Sequence, residues 1–138
     1  MSARTAFLSK LYGLFCLLYA LVMFAHRNAT IAEIQSIIGS PATIMALSVG
    51  VMAAGIAMVV GHNVWSGGPA AILVTLLGWA TLFKGLVIGF LTPQGVGAYY
   101  DALHYEDFFY EYAAVTLIAG LYLTYAGFSQ TPKIAASK

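Results

Sequence analysis

The chain has 138 residues, of which 61% are hydrophobic and only 8% charged, against roughly one quarter charged in a soluble domain; this is the composition of an integral membrane protein. A formal net charge of +1 with no basic block sets aside nucleic acid and anionic-lipid switching as partners. A single cysteine, Cys16, inside an apolar run excludes a disulfide framework, a CxxC redox centre and a thiolate cluster, and is read as a lipid-facing or packing residue.

In chain order, four apolar runs reach the roughly 20 residues that a membrane-crossing helix needs: 5–25, 41–60, 69–91 and 108–128. The predicted fold class is therefore all-α, a four-transmembrane-helix antiparallel bundle with short interfacial helices in the outer loops, and 1–138 reads as one integral membrane domain. The first run has Arg4 and Lys10 ahead of an apolar stretch, as a signal peptide does, but its apolar core is long for one and carries Tyr12 and Tyr19, so it is retained as the first span. In the connection that follows, "NATIAEIQSIIGSP", Thr30 and Glu33 have capping-box spacing. Ile31, Ile34 and Ile38 recur on one face of a short helix that Gly39 and Pro41 would close, and an interfacial position is expected for it. In the second span Ala46, Gly50 and Ala54 are spaced four apart, as are Gly85 and Gly89 in the third, a pattern that permits close helix contacts in lipid. Such a face serves either the bundle itself or a dimer. Between these spans "GHNVWSGGP" reads as a tight turn: Asn63, Gly67 and Gly68 supply turn conformations, Pro69 starts a helix, His62 is expected to cap a helix end and Trp65 to anchor at the interface.

Having reached "HNVW" at His62 to Trp65, "GW" at Gly78 and Trp79, and "KG" at Lys84 and Gly85, the chain resembles a group of small, uncharacterised four-helix integral membrane proteins of bacteria. The resemblance is strongest over the middle hairpin; it implies an inner-membrane location and four spans, and it brings no activity and no catalytic residue. Small multidrug transporters, which carry an acid in their first span, and four-helix glutathione-handling enzymes, which carry several Arg and Glu within theirs, fit less well.

Lys84 lies in an otherwise uncharged run, roughly 10 Å below the outer end of its span at about 1.5 Å per residue. A lysine at mid-membrane costs at least about 2.5 to 3.5 kcal/mol on insertion scales. Tyr19, Ser48 and Thr116 fall at a similar depth and Glu111 about one turn higher, so an intramembrane polar layer with a Lys84 to Glu111 pair, direct or through Tyr19 or water, is the expectation; a lysine that snorkels and an ion or substrate site are the alternatives. In "YYDALHYEDFFYEY", His104, Asp107 and Glu111 would share a face if the stretch were one helix, which could present a metal site. An aromatic belt with solvated acids is the preferred reading, with no metal. A bis-histidine haem is disfavoured because His26 and His104 sit near one boundary and His62 near the other, so no cofactor is expected. Arg4, Lys10, Lys133 and Lys138 against Arg27 predict both termini cytoplasmic in a multi-pass inner-membrane protein. With no nucleophile, base and orienter set in view, the functional expectation is a non-enzymatic accessory or scaffold subunit. Its partners would be the bilayer and a homodimer or larger membrane complex, and the alternative is a small oligomeric transporter or channel using the Lys84/Glu111 layer.

Overall fold

The structure, a computed structural model, describes residues 1–129. Within them lie six helices: α1 (Ala3–Ala25), α2 (Arg27–Ile38), α3 (Pro41–Gly61), α4 (Pro69–Phe90), α5 (Pro93–Ala102) and α6 (Phe109–Phe128). Lys133 and Lys138 lie outside the described residues. Starts are set by simple chemistry. Pro41, Pro69 and Pro93 occupy the first helical turn, where no N–H partner is lost. The hydroxyls of Ser2, Ser40 and Thr92 accept from Thr5 N at 3.1 Å, Thr43 N at 3.4 Å and Gly95 N at 3.2 Å. Gly67 and Gly68, at φ +94° and +109°, turn the chain from α3 to α4.

Three helices, α1, α3 and α4, are long and apolar enough to cross a bilayer. The fourth expected span, α6, has 20 residues, but Glu111, Tyr110, Tyr112, Tyr122 and Tyr125 lower its hydropathy below theirs. The helices are organised as two antiparallel pairs, α1 with α6 and α3 with α4. In the first pair, a Cβ at Gly120 would lie 2.6 Å from Leu17 N and one at Gly127 2.9 Å from Lys10 N, while Gly13 abuts the backbone of Leu123 and Thr124. In the second, Gly55 abuts the backbone of Leu82 and a Cβ at Gly85 would lie 2.6 Å from Met52 N. Absent side chains thus let backbone meet backbone, which is how helices gain packing energy where lipid removes the hydrophobic drive.

The pairs meet at the end carrying the N-terminus, where Met58, Ala70, Val74 and Leu123 form a buried cluster flanked by Leu8, Tyr12 and Leu77. At the other end they are bridged by α2. Its Ile31 packs on Met23, Phe109 and Ala113 of the first pair, and its Ile37 and Ile38 on Ile44, Ile88 and Val96 of the second pair and α5. The helix begins three residues before the expected capping box: His26 is its N-cap, and Thr30 lies inside the first turn with its hydroxyl donating to His26 O at 3.0 Å.

Of the two uses open to the small-residue stripe of the second span, the bundle itself or a dimer, the packing within the chain does not make the first. Gly50 has open space where a Cβ would be, and Ala46 and Ala54 are exposed with it. The surface that α3 turns to α4 carries Ser48, Met52 and Gly55 instead. Gly85 is buried there, and Gly89 faces Ser48, whose Oγ would be 3.4 Å from a Cβ.

Candidate functional site

Among the described residues no direct hydrogen bond or ion pair joins the members of the expected polar layer. Ser48 is buried and donates to Met45 O at 2.9 Å, and Thr116 donates to Tyr112 O at 2.8 Å, so each hydroxyl is satisfied by its own helix. Tyr19 is 42% exposed and stacks on Phe15 at 6.0 Å. The direct Lys84 to Glu111 pair is not formed. Lys84 Nζ lies 6.0 Å from the centre of the Tyr100 ring on α5, and Glu111 is exposed in the first turn of α6. The reason is the pairing: α4 packs along α3, α6 along α1, and the buried cluster shared by α4 and α6 sits around Val74 and Leu123, at the far end from Glu111. Matching depth did not make neighbours.

At that far end the "HNVW" turn is folded onto α4. His62 is 3% exposed; its backbone N–H closes α3 on Met58 O at 2.7 Å, and its Nε2 lies 3.3 Å from Ala71 O. A carbonyl partner requires the proton on Nε2, so the imidazole ties the turn to the next helix, while the residue caps α3 through its backbone N–H. Thr75 Oγ1 accepts from Val64 N at 3.0 Å and lies 2.8 Å from Val64 O, to which it can donate. Asn63 Oδ1 accepts from both indoles, Trp65 Nε1 at 2.8 Å and Trp79 Nε1 at 3.3 Å. Arg4 Nη1 reaches across from α1 to Gly61 O at 3.1 Å, placing a cation at the carbonyl end of α3 where the helix dipole favours it. Thus the "HNVW" and "GW" residues are joined by hydrogen bonds into one staple. Thr75, which completes it, has no signal in the sequence beyond being a hydroxyl in an apolar run.

The opposite end is a cap of aromatic rings. The stretch does not form one helix: α5 ends at Ala102, and His104 takes φ +47°, so His104, Asp107 and Glu111 do not share a helix face. The turn is held by Phe108 N donating to His104 O at 2.9 Å, and by Tyr112 Oη donating to Leu103 O at 3.0 Å. Tyr105 is its centre. Its ring meets Tyr100 edge-on at 5.7 Å, Phe109 edge-on at 5.7 Å and Tyr112 stacked at 5.5 Å. Burial, with the phenols of Tyr19, Tyr100 and Tyr112 close enough to oppose a further negative charge, pushes its pKa up to about 12. Burial also raises that of Tyr100.

Arg27 fastens α2 to this cap. Its Nη2 donates to Glu106 O at 2.8 Å and its guanidinium lies 5.6 Å over Phe109 and 5.8 Å over Tyr110. Gln35 Nε2 donates to Glu106 Oε1 at 2.6 Å. Between α2 and the α5 turn remains a cavity of ≈ 410 Å³ bordered by Ile31, Ile34, Ile38, Tyr100 and Tyr105 and, at its rim, by Asp101, His104, Glu106 and Asp107. These acids do not converge on a point: among the described residues no three His, Cys, Asp or Glu side chains are placed to hold a metal ion. His26, at the junction of α1 and α2, does not line the cavity that His104 borders, and His62 is at the other end. Comparison with protein-family models, curated proteins and solved structures finds no match for this chain.

Proposed function

We propose that the chain is a four-span bacterial inner-membrane protein with both termini in the cytoplasm, serving as a non-enzymatic accessory or scaffold subunit that packs against a membrane partner. The fourth span rests on α6 itself: its 20 residues reach about 30 Å, and it lies antiparallel to α1 from Phe109 beside Met23 to Gly127 beside Lys10. A helix so paired shares its partner's surroundings. Orientation rests on Arg4 and Lys10 at one end of α1 against Arg27 at the other.

The observation that carries the functional reading is the apolar exposure of α3. Only Ile44, Ser48, Gly55 and Met58 of its residues are buried, while Met45, Val49 and Val60 are 62%, 57% and 80% exposed. On the same helix Gly50 leaves room for another helix backbone to approach. The alternative, a small oligomeric transporter or channel, rests on Lys84 and Glu111, which form no direct pair. Photo-crosslinking amino acids placed at Gly50 and at buried Gly85 provide the test in cells. A discrete adduct from position 50 and none from position 85 is expected, and mass spectrometry then separates a second copy from a different subunit. Lipid adducts alone at position 50 would refute the accessory reading.

A further inference from the structure

The cavity between α2 and the turn after α5 has a chemistry that the scaffold reading does not use. Its volume, ≈ 410 Å³, falls within the range of small-ligand sites, about 300 to 1,000 Å³. The α2 side is isoleucine, from Ile31, Ile34 and Ile38; the opposite wall is the rings of Tyr100 and Tyr105; the rim bears Asp101, Glu106 and Asp107, with no Lys or Arg among the residues that border it. Glu106 is held by Gln35, whereas the carboxylates of Asp101 and Asp107 have no hydrogen-bond partner among the described residues. The two neighbouring cations keep their charge, since Arg27 contacts only the Glu106 carbonyl and two rings and Lys84 the Tyr100 ring. The three rim carboxylates outnumber them, so the surroundings are net acidic.

From this we infer that the cavity binds a small amphiphilic organic cation, a quaternary or protonated amine with an aromatic or branched apolar group. The apolar group lies against the isoleucines, the positive centre faces the tyrosine rings, and the rim carboxylates compensate its charge. An inorganic divalent ion is a poor fit because the acids are dispersed around the rim and do not converge on one point. A small anion would meet three carboxylates. A diffuse cation suits both features, since attraction to ring faces and to carboxylates across several ångströms needs no coordination geometry.

The test uses the full chain in phosphatidylcholine nanodiscs, with benzyltrimethylammonium as probe and benzenesulfonate as the anion of similar size, both followed by saturation-transfer NMR. Saturable binding of the cation and none of the anion is expected. Asp101→Asn with Asp107→Asn weakens it about tenfold, Ile34→Trp, which fills the cavity, abolishes it, and Glu33→Gln, an exposed acid of α2 outside the cavity, leaves it unchanged. Circular dichroism and monodispersity confirm that each variant is folded; if Ile34→Trp does not fold, the double asparagine variant decides. Absence of saturable cation binding, equal binding of the anion, or unchanged affinity in the double variant overturns the inference.

Discussion

Placing a methyl group at Gly85 strains the α3–α4 pair at a point where nothing can rotate aside. The new Cβ would lie 2.6 Å from Met52 N and 2.8 Å from Met52 Cα, against the roughly 3.5 to 4.0 Å of a relaxed contact, so the helices must separate by about 1 Å. That separation loosens the neighbouring contacts of Gly55 with Leu82 and of Gly89 with Ser48. Overpacking of this kind costs about 1 to 3 kcal/mol, and the better helix propensity of alanine returns up to about 1 kcal/mol. With the full propensity gain the expected net loss for Gly85→Ala is thus about 0 to 2 kcal/mol. Gly50→Ala, on the open face of the facing helix, takes the propensity gain alone. Equilibrium unfolding of both variants with a denaturing detergent, followed by circular dichroism, reads the difference directly. Coincident unfolding of the two would refute the pairing on which the fold rests.

At His104, φ is +47°, a region unfavourable to a residue with a Cβ by about 1 to 2 kcal/mol; His104→Gly is expected to be more stable than His104→Ala by about 1 kcal/mol, and the reverse order in thermal unfolding would contradict the turn. Tyr105 ionises at about 12 against an ordinary 10.0, so the folded state holds this proton more tightly than the unfolded chain. Its contribution is complete below pH 10.0 and is lost as pH rises towards 12; Tyr105→Phe should show a shallower stability loss across that window, read by unfolding at each pH, and an identical slope would count against a buried phenol. For Lys84→Met and Glu111→Gln, additive effects within about 0.5 kcal/mol are expected, because Lys84 lies at the Tyr100 ring and Glu111 is exposed; a double variant that restores stability would show that they pair after all.

The spans at 41–60 and 69–91 differ from α3 and α4 by a single residue at one end, because an apolar run bounded by Ser-Pro, Gly-Pro or Thr-Pro signals both its start and its stop in local chemistry. The start of the last helix was placed within one residue, at 108 against Phe109, but the turn before it was not legible: nothing in residues 103–108 signals the φ of +47° at His104. Helix partners were also hidden. Depth can be counted along each span, but which spans touch depends on small residues, and the pairs use a seven-residue spacing, Ser48 with Gly55, Gly78 with Gly85, and Gly120 with Gly127. Residues seven apart fall on the same face after about two turns. The four-residue spacing of Ala46, Gly50 and Ala54 is equally regular, yet it points away from α4. The hydrogen-bonded staple of Asn63 with Trp65 and Trp79 was legible as residues and not as a contact, since a turn residue sixteen positions from its second donor gives no periodic signal.

The central claim, that α6 crosses the membrane beside α1, is tested most directly by single cysteines introduced at Ser2, Gln94 and Ser129 in a Cys16→Ser background and labelled with an impermeant maleimide in intact and in disrupted cells. Four spans predict that Ser2→Cys and Ser129→Cys react only after disruption while Gln94→Cys reacts in intact cells. Reaction of Ser2→Cys and Ser129→Cys from opposite sides would leave only three spans and contradict the account.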